Sequence, residues 1–109
     1  MDESKYSGDE LEIVKLMNAR MRYLCEQDEE GYMGLFTAEA PVTGKPGYKV
    51  RHIISMDEIT ITEQKNIYQA TVKVTELRQG DEMEYNQMMV FRKKKADGNT
   101  AQWMIADID

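Results

Sequence analysis

At 109 residues the chain is the length of one domain, enough to hold an apolar core without disulfide or metal staples. Hydrophobic residues make up 41% and charged residues 31%, which excludes a disordered chain and a membrane-spanning one, and no run approaches the ~18 apolar residues of a transmembrane helix. The net charge of −6 lies wholly in residues 1–40, where ten acids face four bases, while residues 41–109 hold ten of each sign; so acidic a first part argues against nucleic acid as a partner.

Residues 1–6 read as a flexible linker and 7–109 as a single domain. Met1-Asp2-Glu3-Ser4-Lys5-Tyr6 has neither the positive start nor the apolar stretch of a signal peptide. It suits a native start or a boundary placed after a removed anchor. Cys25 is the only cysteine, so an intrachain disulfide is excluded, but the compartment is not fixed.

The rest is organised around one predicted amphipathic helix, Ser7 to Cys25. Ser7-Gly8-Asp9-Glu10 has the form of a capping box, in which the Ser7 hydroxyl accepts from the Glu10 N–H and the Glu10 carboxylate reaches back. Ile13, Val14, Met17, Met21 and Leu24 fall on one side of the wheel, with Glu12, Lys15 and Arg22 opposite. That is the stripe of a helix lying on a core. Asp28 then caps a second helix, Glu29 to Phe36, which buries Tyr32, Leu35 and Phe36 and is weakened by Gly31 and Gly34. Pro41, Gly44, Pro46 and Gly47 make residues 40–47 a loop with defined turns.

From Tyr48 the period becomes two. Ile59 and Ile61 alternate with polar residues, as do Ala70, Val72 and Val74; Met83–Phe91 and Ala101–Ile108 complete four predicted strands. Turns are expected at Gln64-Lys65-Asn66, Gly80-Asp81 and Asp97-Gly98, the last two as hairpin pairs. Met88-Met89-Val90-Phe91 is apolar on both faces. Met88 and Val90 are assigned to the helix side; Met89, Phe91 and Tyr85 then need a second cover, which motivates a homodimer through the sheet face.

The expected fold is α+β: a long helix and a short second helix packed on a curved four-stranded antiparallel meander. This order resembles the nuclear transport factor 2-like superfamily, also called ketosteroid-isomerase-like or cystatin-like cone folds, in its small bacterial members. The resemblance is carried by Asp28–Phe36 after the first helix, Gln69–Val74 in the sheet, Met89–Lys93 before a turn, and Trp103–Asp107 at the end. It implies a cone between helix and sheet and a chain that occurs alone or as an extracytoplasmic module, so the cell envelope is favoured over the cytoplasm. The larger members have an extra strand and a third helix where this chain has only Thr37 to Gly47, which argues against a deep sealed pocket. The superfamily contains enzymes and binding modules alike and implies no single chemistry.

Candidate chemistry is sparse. Tyr32, His52 and Asp107 are the candidate catalytic residues, and Met17, Met21, Tyr32, Tyr85 and Trp103 the candidate pocket lining. A tyrosine donor with a carboxylate base in an apolar pocket is an isomerase arrangement; the competing reading is that these aromatics are core and Asp107 faces water. His52, the only histidine, needs a partner to act as a base and otherwise sits exposed or packed at the start of a strand. Cys25 reads as a small packed residue rather than a nucleophile. Arg92-Lys93-Lys94-Lys95 is read as a solubilising strand end, with an anionic partner as the alternative. The acids lack metal-ligand spacing, so no metal or cofactor is expected. The leading expectation is a non-catalytic binding or assembly module, a homodimer, taking a small apolar ligand or protein partner. The alternatives are a small isomerase or dehydratase using the cone interior, or a spacer of a cell-envelope protein.

Overall fold

In the computed structural model, residues 2–79, 83–95 and 102–108 are described. A helix α1 (Gly8–Glu26) and a short α2 (Glu29–Met33) precede five strands: β1 (Lys49–Met56), β2 (Thr60–Glu63), β3 (Ile67–Gln79), β4 (Glu84–Lys94) and β5 (Met104–Ile108). All are antiparallel in one sheet, ordered β1-β3-β4-β5, with β2 also paired to β3. Ahead of α1, Glu3–Lys5 form a 3-10 turn capped by Asp2, and Asn18 of α1 donates to Glu3 at 3.0 Å.

The sheet has five strands rather than four because one edge of β3 is shared. β2 runs along Tyr68–Thr71 and β1 along Val74–Gln79, with Asp57–Ile59 between them. β1 carries register shifts between Val50 and His52 and between Ile53 and Ser55. Each shift resets the side-chain alternation, so the period-two pattern is lost over β1. The hairpin pairs at Gly80-Asp81 and Asp97-Gly98 lie outside the described residues.

The apolar stripe of α1 buries Ile13, Val14, Met17 and Leu24. Ser7 stands at the N-cap but its side chain makes no capping bond, contrary to the capping-box expectation. Gly8 has φ +59°, a left-handed turn directly after the cap that changes the direction from which the chain enters the helix. Asp9 turns instead to the sheet, where its Oδ1 accepts from Trp103 Nε1 at 2.9 Å with Lys93 Nζ at 3.6 Å. At the other end Gln27 takes φ 58°, and Gln27 N–H and Asp28 N–H return to the carbonyls of Leu24 and Tyr23. This two-bond closure ends α1 and turns the chain into α2.

Asp28 caps α2 as expected, accepting from Gly31 N at 2.9 Å. The helix stops at Met33 rather than Phe36. Beyond it, Leu35 O accepts from Ile105 N at 2.8 Å and Thr37 N donates to Ile105 O at 2.9 Å, so these residues satisfy the free edge of β5 instead of extending the helix. Gly31 is a packing requirement as well as a helix weakener: an added Cβ would stand 2.7 Å from the Tyr23 ring. Gly31→Ala is therefore expected to destabilise by about 1–2 kcal/mol, the overpacking cost exceeding the roughly 1 kcal/mol gained in helix propensity. Urea denaturation checks the sign.

The sheet presents to α1 the face opposite to the one assigned from sequence. Ala70, Val72 and Val74 of β3 pair with Phe91, Met89 and Gln87 of β4, and Phe91 with Ile105 of β5. These form the core with Ile13, Met17, Leu24, Tyr32, Phe36 and Trp103. Met88 and Val90 stand on the other face, beside Lys73 and Thr71. The deciding partner is β3, whose buried parity forces that of β4.

Candidate functional site

Two charged side chains lie inside this core. Arg20 follows Met17 and precedes Leu24 on the buried stripe of α1, and Glu76 continues the inward parity of Ala70, Val72 and Val74 on β3. They are 1% and 0% exposed. Arg20 Nη1 donates to Glu76 Oε1 at 2.9 Å, and Arg78 Nε donates to Oε2 at 2.9 Å, so each carboxylate oxygen takes one guanidinium. Burial disfavours the Arg20 charge, but the hydrogen bond and charge of Glu76 outweigh it and its pKa is raised.

Tyrosines complete the network. Tyr48 Oη accepts from Arg20 Nη2 at 2.9 Å. The Arg78 guanidinium lies between the rings of Tyr48 and Tyr85, 3.7 and 3.9 Å from their centroids, a double cation–π contact. The Gln87 amide, oriented so that both ends are satisfied, donates to Glu76 Oε1 at 2.9 Å and accepts from Arg78. Replacing such a network by apolar side chains is often close to neutral, whereas breaking it strands a buried charge.

Beside this network opens a cleft of about 290 Å³ between α2, residues 41–48 and the β4–β5 edge. Tyr32, Phe36, Val42, Pro46, Tyr48, Gln87, Asp107 and Ile108 are among its lining. The loop is held against α2 by Glu29, whose Oε1 accepts from Lys45 N at 3.4 Å. Burial pushes the Tyr32 phenol above its ordinary pKa of 10.0, with nearby Arg20 acting in the opposite sense.

Of the residues singled out from sequence, Tyr32 and Asp107 both border the cleft. The register pairs Asp107 with Val90, on the sheet face away from α1. His52 is exposed and pairs with Leu77, and the structure does not bring it to the other two. Met17 is buried under α1, Met21 packs half-buried against the core, Tyr85 stacks on Arg78, and Trp103 is buried and bonded to Asp9. Cys25 is exposed rather than packed, its thiol 3.8 Å from the Val50 carbonyl oxygen, because it sits on the flank of the stripe. The basic run is engaged locally: Arg92 bonds Gln69, Lys93 faces Asp9 and Lys95 pairs with Glu63 at 2.8 Å. Among the described residues no group of three His, Cys, Asp or Glu side chains is placed to hold a metal ion, and no helix is long and apolar enough to cross a membrane.

Sequence reasoning missed Arg20, Tyr48, Glu76 and Gln87. For Arg20 and Glu76 the signal was available: each is a charge at a position its element's period assigns to the core, and the two are of opposite sign. Tyr48 and Gln87 carry no such mark. The fold and site together define an α+β domain with a charged network under one end of its sheet. Compared with known protein families, with curated proteins and with solved structures, the chain finds no match in any of the three.

Proposed function

We propose that the chain is a non-catalytic binding and assembly module of the nuclear transport factor 2-like kind, and that it self-associates through the sheet face turned away from α1. The observation that carries this is the composition of that face. Met88, Val90 and Met104 are half-buried at its centre, with Lys73 on β3 and Asp107 on β5 to either side. The core side chains of α1 and α2 lie on the other side. A two-fold axis along β4 would bring β3 of one copy over β5 of the other, setting Lys73 near the partner's Asp107 around a shared apolar centre. Such a self-complementary patch is what an isologous pair requires.

The isomerase or dehydratase alternative is less well supported, because His52 is exposed on β1 and lies apart from the cleft that Tyr32 and Asp107 border. Sedimentation velocity tests the assembly. The wild-type chain is expected to run at twice its own mass at micromolar concentration, and Val90→Glu to run as a folded monomer with little change in circular dichroism. A wild-type chain that stays monomeric at about 100 µM, corresponding to an association free energy weaker than about −5.5 kcal/mol, removes the proposal.

A further inference from the structure

The charged network is not self-neutralising. Arg20 and Arg78 bring two positive charges to the single carboxylate of Glu76; the side chains of Arg20 and Glu76 are 2% and 0% exposed, and that of Arg78 is 15% exposed. Arg20 Nε is buried with no acceptor among the described residues. A buried excess of positive charge is costly unless an anion or water reaches its neighbourhood.

The network meets the cleft through side chains that can donate into it. Tyr48 accepts from Arg20 with its oxygen, leaving its own proton for another acceptor, and a hydroxyl polarised by a guanidinium is a stronger donor. Tyr32, a phenol protonated at neutral pH, carries a donor proton as well. Gln87 uses one amide N–H on Glu76 and has a second. All three border the cleft, whose remaining wall includes Phe36, Val42 and Ile108. Asp107, the one charged residue of the lining, also borders it, and its backbone pairs in register with Val90; the guanidinium groups stand behind Tyr48 and Gln87. The volume, about 290 Å³, stands at the small end of ligand sites.

We infer that this cleft binds a small monocarboxylate with an apolar body, its carboxylate accepting from the Tyr32 and Tyr48 hydroxyls and its body lying on Phe36, Val42 and Ile108. The site is on the helix side of the sheet, so the inference does not depend on self-association through the other face.

The test is a backbone-amide NMR titration of the whole chain with benzoate, phenylacetate and hexanoate, each against its neutral amide, and with inorganic phosphate. At least one carboxylate is expected to bind saturably, about tenfold or more tighter than its amide, with shifts centred on residues 42–48 and Gln87. Tyr48→Phe should weaken binding about fivefold or more, since a charge-backed hydrogen bond is lost. Val42→Trp should block the cleft from the loop while leaving the network intact, so it decides the matter if Tyr48→Phe folds poorly. The inference is overturned if no carboxylate saturates by about 10 mM, if amides or phosphate bind as well, if the shifts centre elsewhere, or if Val42→Trp leaves binding unchanged.

Discussion

Glu76→Gln is expected to lower folding stability by about 3–5 kcal/mol, the largest loss of any single conservative change in this chain. The substitution keeps the shape of the side chain and removes only its charge. Glu76 accepts from Arg20 on one oxygen and from Arg78 on the other, with Gln87 also on the first. A glutamine offers one acceptor oxygen, and its amide N–H groups would face a guanidinium. The buried Arg20 would then lie beside the partly exposed Arg78 without a counter-charge. For a domain of this length the melting temperature should fall on the order of 15 °C.

The comparison that identifies the cause is Arg20→Met. It removes one charge and leaves Glu76 paired with Arg78, a neutral couple, and the methionine keeps an apolar stem on the stripe of α1. Its cost is expected to be about 1–2 kcal/mol, below that of Glu76→Gln, although a larger group of atoms is deleted. Chemical denaturation of the two variants gives the ordering. If Glu76→Gln lies within about 1 kcal/mol of wild type, water reaches the network and its burial does not govern stability.

Those two residues also mark how far the sequence could be read. The α1 stripe, the Asp28 cap, the loop of Pro41 to Gly47 and the strands around β3 and β4 are legible because each follows from local spacing or local turn chemistry. What failed depended on a partner. The parity of β4 is ambiguous from its own residues, since Met88 to Phe91 are all apolar, and only pairing with Ala70 and Val72 decides it. β1 is obscured by two register shifts of its own against β3, which appear only once the two strands are paired. The end of α2 is set by β5, which recruits residues 35–37 to its edge. The cleft was illegible for the same reason: Tyr48, from a loop, and Gln87, from a strand, come together only through the closure of residues 41–48 over the sheet.

The parity of β4 leads to the second large effect. Phe91→Ala is expected to cost about 3–5 kcal/mol and Met88→Ala under about 1 kcal/mol, though the two lie three residues apart on one strand. Phe91 is 0% exposed, sits between Ala70 and Ile105, and would leave a cavity under α1 that a β-sheet cannot collapse to fill. Met88 is half-buried opposite Lys73, on the face without a helix, where its truncation leaves solvent rather than a void. Thermal melts of the two variants rank them directly, and the reverse ranking would mean that the sheet meets the helix with its other side. The same pair separates packing from assembly. The Phe91 deficit belongs to the monomer and should not change with protein concentration. If copies join across the open face, the small Met88 deficit should include a part that grows as the chain is diluted toward its dissociation constant, because the bound partner contributes to apparent stability only while it is bound.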